Sequence, residues 1–177
     1  MRFFVVLTTL CLLSAPAFAT PVSKDAANAY YQNCKSQSAE GMSRKSQDFM
    51  CACTAAKMMD HMSVEDVKMM GQQNESGRKA TNKMIIQVYA PCIEYPARDH
   101  YYNNCISDPK TKTMTSSPKA MCSCMAGEIA DHLKNNAQTV FREILTRNPN
   151  ITDPMGALTS DSEFQQFARR KLLGCVR

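Results

Sequence analysis

The chain has no tryptophan, only six glycines, and thirteen other aromatic residues spread over 177 positions. So few large side chains leave little material for a deep core. So few glycines leave little for the loops that cradle phosphates, and no P-loop, GxSxG or HExxH pattern occurs. There is no CxxC, the spacing expected of a redox dithiol or a zinc ligand pair. Beyond the N-terminus no apolar run approaches the ~20 residues that a membrane span needs. Basic residues are scattered and their densest cluster is Arg169-Arg170-Lys171. That density argues against nucleic acid as a partner.

What is present starts with an export signal. Arg2 supplies the positive end, residues 3–13 the short apolar run, and Ala17-Phe18-Ala19 the small-x-small cleavage pattern. Residues 1–19 therefore read as a signal peptide, with the mature chain starting at Thr20 and carrying no transmembrane segment. Without Arg2 the net charge falls from +5 to about +4. Eight cysteines remain after removal: Cys34, Cys51, Cys53, Cys92, Cys105, Cys122, Cys124 and Cys175. An even count behind a signal implies a disulfide framework in an oxidising compartment, the periplasm or the exterior. In a eukaryotic exterior, Asn74-Glu75-Ser76 and Asn150-Ile151-Thr152 would be glycosylation acceptors.

The cysteines fall in a repeat. Tyr30-Tyr31-Gln32-Asn33-Cys34 matches Tyr101-Tyr102-Asn103-Asn104-Cys105 at an offset of 71, and Cys51, Cys53 and Asp60-His61 meet Cys122, Cys124 and Asp131-His132 at the same offset. Cys92 meets Cys175 only at 83, which places a twelve-residue insertion in the second copy, at 148–159. The reading is a first module over 20–97 and a second over 98–177. Apolar residues recur at helical spacing and strand-like alternation is lacking. The expected fold is all-α, two tandem disulfide-stapled modules of about four short helices each.

In the first module, Ala27, Tyr31 and Cys34 mark one helix. Phe49, Cys53 and Ala56 mark one stripe of the next, and Cys51, Ala55, Met58 and Met62 a second stripe. Ser63 and Asp66 resemble a capping box opening a third helix. Ile85, Tyr89 and Cys92 mark a fourth, expected to end near Pro96. In the second module Ala137, Val140, Phe141, Ile144 and Leu145 form one amphipathic helix. Ser160 and Glu163 are set to cap the last.

Residues two apart on a helix point to nearly opposite sides. Cys51 and Cys53 should therefore staple two different neighbours, as should Cys122 and Cys124. Geometry leaves open whether Cys34 takes Cys51 or Cys53. Each staple would contribute about 3 to 4 kcal/mol in the chain-entropy account.

Methionine is abundant, and Met58, Met59, His61 and Met62 form a cluster of thioether and imidazole suited to Cu(I). Their partners in the other copy are Ile129, Ala130, His132 and Leu133, which favours core packing over a duplicated metal site. The leading expectation is a non-enzymatic exported binding protein without a cofactor. Its partner would be a protein, an envelope component or a small ligand. Tyr30, Tyr31, Tyr101 and Tyr102 are the candidate contact residues, one of each pair packing inward and the other showing a face. The alternatives are copper handling by the Met-His cluster and thiol-disulfide redox chemistry. Function that differs between the copies should lie where they diverge, at 58–70 and 148–159.

Overall fold

A computed structural model describes residues 19–37 and 41–176, so all of the signal expected at 1–19 except Ala19 lies outside the described residues. The described chain is all-α. In the first repeat the helices are α1 (Lys24–Ser36), α2 (Arg44–His61), α3 (Val64–Met69) and α4 (Glu75–Lys83). A π-helical turn, Met84–Tyr89, and a 3₁₀ turn, Ala90–Cys92, continue α4. The second repeat has α5 (Glu94–Ser107), α6 (Thr111–Met114), α7 (Pro118–Arg147), α8 (Pro154–Ser160) and α9 (Ser162–Gly174).

The α2–α3 break follows from local chemistry. Ser63 accepts from the Asp66 N–H at 3.0 Å while the Asp66 carboxylate accepts from the Ser63 N–H at 3.0 Å, the capping box expected from sequence. At the offset of 71 these residues become Lys134 and Ala137, neither able to cap. The second copy accordingly has no break there. The helices expected as separate elements fuse into α7, thirty residues long.

Three other details depart from the sequence reading. The fourth helix ends at Cys92, and Pro96 lies in the first turn of α5, where its missing N–H has no helical acceptor to lose. Pro91 cannot donate to the Gln87 carbonyl, and the helix leaves α geometry around it. The buried face of α2 is Met50, Cys51, Thr54, Ala55 and Met58, whereas Phe49 is 41% exposed and Ala56 faces out. Phe49 instead meets Tyr95 of α5 edge-on at 4.5 Å. The cap of α9 is Asp161, which accepts from the Phe164 N–H, and Glu163 pairs with Arg147.

The staples resolve to one pattern used twice. Cys34 bonds Cys51 and Cys53 bonds Cys92; Cys105 bonds Cys122 and Cys124 bonds Cys175. The repeats share a core. Ile85, Ala90 and Ile93 of the first join Ala97, Met121, Ile129, Leu133, Phe141 and Leu158 of the second in the larger apolar cluster. A smaller cluster of Val22, Ala27, Ala55, Met58, Met62 and Val88 belongs to the first repeat. Across the repeats the Ser43 N–H donates to Asp99 at 2.8 Å and Asn103 Nδ2 to the Gly41 carbonyl at 2.8 Å.

Candidate binding cleft

Where α3 meets α4 the chain turns sharply. Gly71 has φ +97°, a left-handed conformation natural to glycine. Asn74 then caps α4, its Oδ1 accepting from the Gly77 N–H at 2.9 Å and its Nδ2 donating to Gln72 at 3.0 Å. Gly77 is the only residue type that fits its position. A Cβ there would strike the Gln72 carbonyl oxygen and lie 2.8 Å from that of Met69. The turn is therefore clamped against the helix it precedes.

Facing it is the loop that follows α7, where the expected insertion begins. The Asn150 N–H bonds Asn148 Oδ1 at 3.3 Å, and Ile151 anchors this loop in the larger core at 4% exposed. Between the two segments lies an open cleft of about 640 Å³. Residues 71–78, 81 and 82 form one wall, with only Ser76 of that stretch missing from the lining, and residues 149–152 form the other. Carboxamides dominate: Gln72, Gln73, Asn74, Asn82 and Asn150, with hydroxyls from Thr81 and Thr152.

Two lining groups have unspent capacity. Asn82 Oδ1 is shielded from solvent and has no hydrogen-bond partner among the described residues, an arrangement that costs about 1–3 kcal/mol. Arg78 makes no ion pair among the described residues. The neighbouring Glu75 is engaged, 2.6 Å from Lys79. That hydrogen bond, then the charges of Lys79 and Arg78, hold its carboxyl below the usual range. Among the described residues, Arg78 thus lines the cleft without an ion pair, and Asn82 Oδ1 lies buried in the same wall without a partner. The lining holds no histidine and no cysteine.

The residues singled out from sequence are placed elsewhere. Met58 and Met62 are 5% and 3% exposed and pack in the smaller core, while Met59 is 37% exposed and His61 lies on the surface. The four are divided between the interior and the outside of α2. His61 borders a separate hollow with Lys57 and Lys134. Its counterpart His132 is half-buried in mid α7, 4.3 Å from Phe167, and burial and then Lys171 lower its pKa.

All four tyrosines are half-buried. Tyr30 and Tyr31 lean on the smaller core, Tyr101 and Tyr102 on the larger. Tyr31 donates to Asp48 at 2.8 Å, whereas the Tyr101 hydroxyl is buried without a partner among the described residues.

No family model, curated protein or solved structure matches this chain. The cleft must be read from its own chemistry. One wall falls in the segment expected to be an insertion, while the other segment expected to diverge, 58–70, stops one position short of the wall that faces it. The available signal was the run Gly71-Gln72-Gln73-Asn74, where glycine and amide side chains replace the helical stripe.

Proposed function

We propose that this is an exported, non-enzymatic binding protein of the periplasm or cell exterior, and that the cleft between residues 71–82 and 149–152 is its ligand site. The observation that carries this reading is Arg78, without an ion pair among the described residues, in a cleft lined by the carboxamides of Gln72, Gln73, Asn74, Asn82 and Asn150. A ligand matched to this lining presents a carboxylate to the guanidinium and N–H groups to the carboxamides. A short peptide with a free C-terminus does this. The surrounding carboxamides match its backbone groups, each offering a donor and an acceptor as a peptide unit does. The cleft volume falls within the usual range of small-ligand sites, ~300–1,000 Å³. Four disulfides support an oxidising compartment. No helix among the described residues is long and apolar enough to cross a membrane.

The test is calorimetric titration of the disulfide-intact protein with a pool of tripeptides and with the same pool amidated at the C-terminus. Binding of the free-acid pool, weakened about tenfold or more by Arg78→Ala and again by Asn82→Ala, is the expected result. Equal binding of both pools, or none at millimolar peptide, would overturn the reading.

A further inference from the structure

Each disulfide has one cysteine on the inner face of its module, but the four are not equally sealed. Cys51, Cys92 and Cys122 are 0% exposed, and each closes one side of its bond. In the fourth bond neither end is sealed to that degree. Cys124 is exposed and Cys175 is 8% exposed. Both line one surface hollow of about 240 Å³, floored by Met121 and rimmed by Thr115, Ser117 and Ala120. Of the hollows described here, only this one is lined by cysteine.

Exchange requires a thiolate to reach one sulfur while the other leaves as a thiolate, so access governs which bond opens. Here both cysteines line the hollow, and Cys124 is the exposed one of the two. What holds α9 does not depend on this bond alone. Phe164 and Ala168 are buried, Lys171 pairs with Glu128 at 2.7 Å, and Arg147 holds Asp161 at 2.7 Å. The bond can therefore open while the rest of α9 remains seated. Its removal frees the C-terminal turn, where Leu173 is already 57% exposed and Val176 37%.

The geometry points to Cys124–Cys175 as a thiol-disulfide exchange site, the bond at which a dithiol reductant acts on the folded protein while the other three staples persist. One thiolate of the reductant attacks Cys124 Sγ, and Cys175 departs as a thiolate and takes up a proton. The reductant's second thiol then displaces Cys124 from the mixed disulfide. Two protein thiols and one oxidised dithiol result, two electrons having passed to the protein. The inference stands on the hollow and the staple pattern and is independent of the cleft.

The probe is dithiothreitol, added to the native oxidised protein without denaturant, with timed alkylation and peptide mapping. Cys124 and Cys175 should become alkylated together at least about tenfold faster than any other pair, with the far-ultraviolet dichroism retained. Opening of Cys53–Cys92 or another pair first, or of all four together, would overturn the assignment. A second variant tests the approach route without touching a cysteine. Ala120 is exposed on the rim, so Ala120→Phe should fill the hollow and leave the fold intact. It should slow the Cys124–Cys175 phase several-fold, and an unchanged rate would refute access through the hollow.

Discussion

Cys51 and Cys53 stand two residues apart on α2 and bond in opposite directions, Cys51 to Cys34 of α1 and Cys53 to Cys92 beyond α4. One helix is thereby tied to both neighbours. The two loops differ in length, with separations of 17 and 39. Chain entropy then assigns about 3 kcal/mol to the shorter and about 4 kcal/mol to the longer. Replacing Cys53 and Cys92 by alanine should lower the urea midpoint more than replacing Cys34 and Cys51. Equal losses, or the reverse order with unchanged m-values, would show that native packing around the bonds outweighs loop length.

Asp66 links a cap to an ion pair, since its carboxylate accepts from the Ser63 N–H and lies 2.6 Å from Lys83 Nζ. Burial pushes its pKa up, but the hydrogen bonds from Lys83 and Ser63 outweigh it and leave the pKa below the usual carboxylate value. A depressed folded pKa means that the contribution is present above the unfolded pKa, near 3.8, and is lost as pH falls through the lower folded value. Asp66→Asn should flatten this part of the acid limb of the stability curve. Ser63→Ala should cost about 1 kcal/mol across the neutral range. Parallel denaturation curves from neutral pH into the acid limb check both, and an unaltered acid limb in Asp66→Asn would refute the linkage.

Much of the scaffold was legible because it repeats. The offset of 71 exposed the staples, and the loss of Ser63 and Asp66 to Lys134 and Ala137 already encoded the fusion of α7. That second signal lay in the absence of a cap, which a search for positive patterns passes over. The stripe of Phe49, Cys53 and Ala56 misled for a different reason. Periodicity reports which residues share a face, and only packing decides which face turns inward. Disulfide partners were open because both pairings obey the same helix rotation. The cleft was least legible. Its two walls are some seventy residues apart in sequence, and polar carboxamides carry no period.

The glycines Gly77 and Gly127 should respond in opposite ways to the same substitution. Gly127 lies within α7, and a Cβ there meets nothing within 4 Å. Alanine removes backbone freedom from the unfolded chain and should stabilise by about 0.5–1 kcal/mol. At Gly77 the added carbon collides with the backbone carbonyls of Gln72 and Met69, so alanine must displace the α3–α4 turn. Gly77→Ala should lower the melting temperature and Gly127→Ala raise it. A neutral Gly77→Ala would mean that the turn facing the cleft is not clamped.

Tyr31 and Tyr101 occupy neighbouring positions of the two copies of YYxNC and should separate under phenylalanine substitution. Tyr31 loses a hydrogen bond to the exposed Asp48, a small effect at the surface. Tyr101 loses a hydroxyl that is buried without a partner, against Phe164 at 6.0 Å. Removing an unsatisfied group relieves its desolvation penalty. Tyr101→Phe should therefore be neutral or stabilising by up to about 1 kcal/mol. A loss above about 1 kcal/mol would reveal a partner for that hydroxyl.

The N-terminal segment carries the test of the export reading. The Thr20 N–H lies 3.2 Å from Glu65 Oε2, the Val64 N–H donates to the Thr20 carbonyl at 2.8 Å, and the Val22 N–H to that of Met62 at 3.1 Å. Cleavage after Ala19 would turn the Thr20 N–H into an ammonium already aimed at a carboxylate, giving the mature end an ion pair that the precursor lacks. N-terminal sequencing of the exported protein should read Thr-Pro-Val. The mature protein should lose more stability on Glu65→Gln than an unprocessed chain does, and the excess should shrink with added salt because the pair is exposed. A mature end at any other residue would break both expectations at once, since the ammonium would then no longer stand opposite Glu65.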